Sequence, residues 1–455
     1  MKRVSMTQNI KIKRLYQHRY WAMLLVWMAL TSDAGAQRVL TLEEAIATAL
    51  QNNYDIQIAR NDSLVAAIDY SYRNAVFLPT VNADAARTFN NNNQRQTLAD
   101  GTERKSNGVR SNNLQASIGL DWVLFDGFRM FATRDKAAAL LEAGSHTAKA
   151  QLINTVAQVV NTYYNISRQQ QLIKATDVQI RLNNDRSRLA QYKLEIGSGA
   201  KPDVLQSKVD LNEQKSLKMQ QETLIGQLKQ QLIQAMNSNI KEHEFSIPDT
   251  IPLNETIALG DIQEGIEKTN PDLLLARSNI DVAKYTLKET KAGLWPTIAF
   301  GTAYNYSRTV NKRVLNNFST LFNQLNGYNY GFTATVPIFN QFRVRRQIRQ
   351  DRLSISLQEL SLENQRSLIN LSVINAFKDY QQQQKFLKLE EESIALAEEN
   401  VTIVFETYKL GAATLVQLRE AQLSLAQAYD RLIAARYNLK LAETELLRLK
   451  GDIIK

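Results

Sequence analysis

The sequence predicts a mainly α-helical chain that carries a small β part and is built twice over. Three observations carry this. First, leucine recurs every seven residues at Leu418, Leu425, Leu432, Leu439 and Leu446, beside a second row at Ala421, Ala428, Ala435, Ala442 and Leu449. A strict seven-residue repeat imposes a left-handed supercoil, and alanine on one seam lets neighbouring helices approach closely. Second, the pattern has a twin 214 residues earlier. The first row falls on Val204, Leu211, Lys218, Ile225 and Leu232, with only Lys218 breaking it; the second falls on Ser207, Gln214, Gln221, Leu228 and Ala235. Such self-similarity marks an internal duplication. Third, four short stretches change period from helical to two, as strands do.

Composition bounds what the chain can be. It has 455 residues, a net charge of +10 and no cysteine, which excludes disulfides, thiolate metal sites and a lipid-bearing cysteine. Lys11, Lys13, Arg14 and Arg19 precede an apolar run from Tyr20 to Leu30, and Ala34-Gly35-Ala36 supplies an A-x-A cleavage pattern. Residues 1–36 therefore read as a signal peptide, with the mature chain starting at Gln37. The run is about half of the roughly 20 residues a membrane-spanning helix needs. The leader holds six of the Lys/Arg and one acid, so the remainder carries +5. That mild balance argues against nucleic acid as a partner.

The elements follow in order. Thr41 and Glu44 have capping-box spacing and open a short helix. After Asn52-Asn53 a second helix covers 54–77, ended by Leu78-Pro79-Thr80. A strand is expected over about 80–89, an Asn-rich loop over 90–113, and a strand over about 114–125. In the latter, Leu114, Ala116, Ile118, Leu120, Trp122 and Leu124 share one face. Continuous helices follow over 129–196 and, past the glycines, 201–237. Residues 238–260, with Pro248 and Pro252, read as a connector lying as a band on the outside of the helices. The second repeat, 261–455, runs through the same plan. Asp261 and Glu264 again have capping spacing, and Asn270-Pro271 opens a helix with proline at its first position. Trp295-Pro296-Thr297 ends that helix, strands are expected over about 297–306 and 329–339, and helices over 341–410 and 414–449. The first repeat is 37–237.

The strand residues Leu114, Ile118, Leu120, Trp122, Phe300 and Phe332 lie on apolar, aromatic faces, and the opposite faces are small and polar. Each strand is near the 9–11 residues that a tilted membrane strand needs, and aromatics gather near the strand ends. Four strands would leave open edges in lipid, which is not tolerated, so other chains must close the sheet. The two longest helices would each span roughly 100 Å, and the shorter ones stacked in pairs nearly match that length. Each repeat thus supplies two helical columns and two strands.

The ordered set resembles the TolC-like family of outer-membrane efflux proteins. It rests on the duplicated helix–strand–strand–helix–helix plan, Leu78-Pro79-Thr80 and Trp295-Pro296-Thr297, Phe125-Asp126-Gly127 and Phe339-Asn340, and the two glycine breaks. The resemblance implies a homotrimer with a TolC-like trimeric α-barrel in the periplasm and a shared 12-stranded β-barrel in the outer membrane. It implies a passive exit duct for efflux or secretion, docking on a periplasmic adaptor protein and an inner-membrane pump, in a Gram-negative bacterium. Carried over by position, the periplasmic tips that meet the adaptor are Gly197, Ser198, Gly199 and Ala200, and Gly411, Ala412, Ala413 and Thr414. The family's periplasmic constriction maps to Gln417 and Glu420; Tyr408 is a candidate partner for holding it shut, the alternative being one more residue of the helical seam. Glu420 keeps the acid usual there, while Gln417 departs from the pattern.

No enzyme, cofactor or metal site is expected. His18, His146 and His243 are far apart, and no nucleophile set, nucleotide loop or metal spacing occurs. Arg343, Arg345, Arg346, Arg349 and Arg352 open the second long helix, against its dipole; lipid phosphates or acids of a neighbouring chain would balance them, the alternative being a solvated face. The alternative to a conduit is a secreted helical coiled-coil scaffold without a pore, which would have to bury the apolar strand faces in protein.

Overall fold

The computed structural model describes residues 38–254, 256–312 and 320–453. The expected leader lies outside them, as does His18. The described residues form two compact units, each drawing on both sequence repeats: 38–54, 155–257 and 377–445 in one, and 55–154, 258–376 and 446–453 in the other.

The elements are β1 (Arg38–Val39), α1 (Leu42–Asn52), α2 (Tyr54–Ser71), β2 (Thr80–Thr97), β3 (Glu103–Phe125), α3 (Arg129–Glu195), α4 (Lys201–Met236), β4 (Phe245–Ser246), α5 (Leu259–Thr269), α6 (Pro271–Ala292), β5 (Thr297–Asn311), β6 (Phe322–Thr335), α7 (Arg343–Lys409) and α8 (Leu415–Lys450). No helix among the described residues is long and apolar enough to cross a membrane.

The start signals act differently in the two repeats. Thr41 caps α1, its hydroxyl accepting from the Glu44 N–H at 3.2 Å. In the second repeat the expected Asp261 cap is not used: α5 begins at Leu259, Ala258 stands at the cap without a side-chain bond, and Asp261 lies inside the first turn. Asn270 does cap α6, accepting from Asp272 and Leu273 N–H at 3.0 and 3.1 Å. The duplication shows in two buried asparagines. Asn53 donates its amide to the Ala235 carbonyl at 2.7 Å, and Asn270 donates to the Leu449 carbonyl at 2.9 Å. Each amide satisfies an orphan carbonyl in the last turn of its repeat's final helix.

The heptad rows are buried seams. In the first unit Leu418, Ala421, Leu425, Ala428, Leu432, Ala435 and Leu439 are all buried. Near the glycine breaks, Val401 of α7 packs with Ala421 and Leu425 of α8, against Leu182 of α3. Two of the polar breaks in the earlier seam have partners on α3: Lys218 donates to Asp177 at 2.8 Å, and Gln221 accepts from Thr176 at 3.0 Å. The connector is tied to helices by side-chain bonds to its carbonyls. Ser167 of α3 donates to Pro248 at 2.8 Å, Tyr380 of α7 to Asn254 at 2.5 Å, and Lys229 of α4 to Glu242 and Phe245 at 2.9 and 2.8 Å. β4, within the connector, pairs in parallel with β1.

The second unit holds an antiparallel four-stranded sheet in the order β2-β3-β5-β6. The strands differ in extent from expectation. The Asn-rich stretch continues the first hairpin, so β2 runs to Thr97 and β3 starts at Glu103. In the second hairpin β5 runs to Asn311, and β6 covers Phe322–Thr335, shifted toward the turn. Asparagine disfavours isolated strands, but here the ladder of backbone bonds to the partner strand carries it. α2 also stops at Ser71, and a short 3-10 turn over Arg73–Phe77 precedes Pro79.

Candidate functional site

Two regions hold the residues singled out by the sequence. In the second unit, the sheet register aligns the apolar positions. Trp122, Phe300 and Phe332 form one cross-strand row; Val81, Leu120, Thr302 and Tyr330 form the next, and Ala83, Ile118, Tyr304 and Tyr328 the one after. Leu114 lies on the same face, beside Arg87 and Arg308. All six expected apolar strand residues therefore share one face. The Phe300 and Phe332 rings are 5.1 Å apart, and the Trp122 indole donates to the Phe77 carbonyl at 2.8 Å. The opposite face carries Asn82, Asp84, Ser117, Gly119, Asp121, Gly301, Ala303, Asn305, Gly331 and Asn329. Both outer strands, β2 and β6, have one edge without a partner among the described residues.

Where β6 gives way to α7, Gln341 and Phe342 both have positive φ, 54° and 59°, which costs bulky residues energy. Phe342 meets Phe339 edge-on at 5.5 Å; the first repeat's Phe128 meets Phe125 likewise at 5.3 Å. The basic run then follows. Arg345 lies over the Phe342 ring at 6.0 Å, and the five arginines form no ion pair among the described residues. At the positions of Arg345, Arg346, Arg349 and Arg352, the first repeat has Phe131, Ala132, Asp135 and Ala138.

In the first unit, each glycine break is a tight helix–helix turn. Gly197 (φ 76°) and Gly411 (φ 79°) take the left-handed conformation that ends a helix at low cost. In the first turn, the N–H groups of Ser198 and Gly199 both donate to the Lys193 carbonyl at 2.8 Å. A Cβ on Gly199 would lie 2.8 Å from the Lys193 Cβ and 2.9 Å from the Leu194 nitrogen, so no side chain fits. Ala200 stands at the cap of α4 without a side-chain bond. The second turn makes the same two backbone bonds, from Ala412 and Ala413 N–H to the Thr407 carbonyl at 3.0 and 3.3 Å, and adds side chains. Gln417 N–H donates to the Thr414 hydroxyl at 3.3 Å, and the Gln417 carboxamide oxygen accepts from Thr414 N–H at 2.8 Å. This reciprocal pair is a capping box. Gln417, the departure from the acidic pattern, thus has its carboxamide oxygen engaged at the start of α8. Glu420 is exposed, one turn further on, and is unpaired among the described residues.

The two turns are clasped to each other. Lys193 donates to the Tyr408 carbonyl at 2.6 Å and sits 4.0 Å from the centre of its ring. It is a second donor to a carbonyl that already accepts from the Gly411 N–H at 3.1 Å, and it adds a cation–π contact. Tyr408 is buried, and burial pushes its phenol above the usual pKa, with Asp203 adding to the shift and Arg186 opposing it.

A buried cluster beside these turns escaped the sequence reading. Arg186 of α3 is 1% exposed; it donates to Asp210 of α4 at 2.5 Å and to Gln422 of α8 at 2.8 Å. Gln206 donates to the other Asp210 oxygen at 2.8 Å, and Arg419 lies 3.3 Å from the first. Burial weakens the guanidinium's hold on its proton, and Asp210 opposes that. Arg186, Asp210, Arg419 and Gln422 line, with Glu420, a cavity of about 410 Å³. The available signal was a seam turning polar: Gln179, Asn183 and Arg186 continue the helical spacing of the buried face of α3.

A duplicated helical chain with a two-faced, four-stranded sheet and paired glycine turns is the architecture of an outer-membrane channel protomer. The family model for outer membrane efflux proteins matches the chain in two blocks, residues 45–238 and 264–452. The chain belongs to the outer membrane efflux protein family. It is 21% identical over 445 residues to outer membrane efflux protein BepC of Brucella suis biovar 1 (strain 1330), covering 94% of this chain and 89% of the relative. It is 20% identical over 441 residues to outer membrane protein TolC of Escherichia coli (strain K12), covering 94% and 86%. Solved structures share the fold. A membrane protein from Pseudomonas aeruginosa superimposes with a TM-score of 0.76 at 19% identity, covering 92% of this chain and 94% of that one. The outer membrane protein VceC from Vibrio cholerae superimposes with 0.74 at 15%, covering 90% and 96%. The fold is TolC-like, and family membership favours the conduit over the scaffold.

Proposed function

We propose that three copies of this chain close one outer-membrane pore and serve as the passive exit duct of a tripartite efflux or secretion system. The observation that carries this is the four-stranded sheet: one apolar, aromatic face, one small and polar face, and a free edge on each outer strand. Unpaired edges are not tolerated in lipid, and three sheets joined edge to edge supply the strands of a closed barrel with a polar lumen. Leu114, Ile118, Leu120, Trp122, Phe300 and Phe332 then face lipid. The repeats 37–237 and 261–455, joined by the connector 238–260, supply the periplasmic helices.

In this reading the turns Gly197–Ala200 and Gly411–Thr414 form the periplasmic end and meet an adaptor protein that links the duct to an inner-membrane pump. Tyr408, Gln417 and Glu420 lie at the constriction. Gln417 acts there as a cap, so Glu420 supplies the charge; repeated around the axis it repels its copies and favours cations at the entrance. Residues 1–36 act as a cleaved leader for export.

The test is the protein mass of the detergent-extracted oligomer by light scattering, followed by conductance in a planar bilayer. Three chains per particle and a cation-preferring pore are expected. A particle of one chain, stable in detergent and without conductance, would overturn the reading.

A further inference from the structure

The charges of the paired sheet are sorted by sign between its two faces. Across β2 up to Asn92, β3 from Val109, and all of β5 and β6, the acids are Asp84 and Asp121, both on the polar face. The cations are on the apolar face. Arg87 and Arg308 flank Leu114 in one row; two residues further along the strands, Phe89, Asn112, Val310 and Phe322 form the next, and Arg110 follows, with Lys312 beside it just past β5. Arg87 lies over the Phe89 ring at 4.9 Å and Arg308 over the Phe322 ring at 5.5 Å. All four cations are exposed and form no ion pair among the described residues, whereas Arg95, beyond the bulge that follows Asn92, pairs with Glu103.

Their height along the strand sets their surroundings. From the Trp122 row to the Leu114 row β3 rises eight residues, about 27 Å along the strand and about 21 Å along the membrane normal at a tilt near 40°. A lipid-facing band is about 25 Å tall. The aromatic row thus stands at the near interface, next to the helices, and the cationic rows stand at the far one. A cation on a lipid-facing strand costs little only at an interface, and four of them, with no acid on their face of the paired sheet among the described residues, suit anions from outside the chain.

We propose that Arg87, Arg110, Arg308 and Lys312 form a belt that binds the phosphate groups of the outer-leaflet glycolipid, lipid A. This rests on the membrane-pore reading, which puts the hairpin ends at the cell surface. Guanidinium groups suit phosphate because they offer paired donors, and the neighbouring Phe89 and Phe322 offer apolar surface to the acyl region.

Full-length protein purified in detergent is titrated with phosphorylated lipid A, with lipid A stripped of its phosphates, and with phosphatidylglycerol, and bound lipid is counted by native mass spectrometry. Phosphorylated lipid A is expected to bind about tenfold or more tightly than the stripped form. Replacing the set together (Arg87→Gln, Arg110→Gln, Arg308→Gln, Lys312→Gln) abolishes that preference, and Arg87→Lys with Arg110→Lys and Arg308→Lys retains part of it. Equal binding of the two lipid A forms, a preference that survives the glutamine set, or equal binding of phosphatidylglycerol would each overturn the proposal. Should the glutamine set not assemble, the wild-type lipid comparison decides alone. Oligomer mass and conductance are read on the same sample, so a conducting trimer without phosphate preference defeats the belt and leaves the pore standing.

Discussion

The two glycine turns do the same job with different parts. The first depends on backbone packing: Gly199 has no room for a Cβ, and Ala200 leaves the start of α4 without a side-chain cap. The second makes the same backbone bonds and adds a side-chain cap. At the position equivalent to Gly199 it has Ala413; at those of Ala200 and Asp203 it has Thr414 and Gln417, which form the capping box. A duplicated turn keeps its backbone bonds while one copy packs a glycine too tightly for a side chain and the other adds a cap. The positive-φ glycine is common to both, because no cap replaces a left-handed residue.

Experiments on the turns can break this comparison or sharpen it. The largest effect is expected from Arg186→Met, which leaves Asp210 buried and strikes both turns at once, since Arg186 joins α3, α4 and α8. Removing one partner of a buried pair costs about 3–5 kcal/mol; the nearby Arg419 should hold the loss to the low end. Thermal melting of the detergent oligomer would read it, and an unchanged midpoint would mean that the cluster is not structural.

Gly199→Ala and Ala413→Gly test the asymmetry itself. The first is expected to cost about 1–3 kcal/mol through overpacking, and the second less than about 1 kcal/mol. Hydrogen exchange at residues 194–200 and 408–414 would compare them, and equal protection losses would refute the distinction. Thr414→Ala should cost about 1 kcal/mol by removing the cap, while Ala200→Thr should stabilise the first turn by a similar amount.

Tyr408→Phe carries the smallest expected effect at neutral pH, since the ring and its contact with Lys193 survive. The difference should appear in alkali. The folded-state phenol pKa is raised by burial, so its contribution is complete below the ordinary phenol value near 10 and is lost as pH rises through the folded value. The wild-type turn should loosen there more than the phenylalanine variant, as exchange at Gly411 and Ala412 would show.

The seams and the apolar strand face were legible because burial imposes a period on the sequence, and a duplicated chain displays that period twice. Strand ends were less legible. Residues 90–97 and 103–113 look like loop because asparagine and arginine dominate them, yet a hairpin needs only a partner strand to extend its ladder. The Asp261 cap failed because α5 starts two residues earlier, at Leu259, where only a backbone conformation marks the boundary. The Arg186 cluster was hidden for another reason. Its members come from three helices, and what selects them is the contact between those helices.

The free edges of β2 and β6 have a consequence for how the protein reaches its place. In the trimeric reading the β6 edge of one copy meets the β2 edge of the next, so no copy can present a complete surface to lipid alone. Insertion then becomes a many-body event whose rate depends steeply on how many chains are present together. In a cell making two versions, one carrying a proline that spoils the β6 edge, the altered version would occupy rings and leave them unsealed. Such a mutation would act dominantly, disabling channels built largely from normal chains.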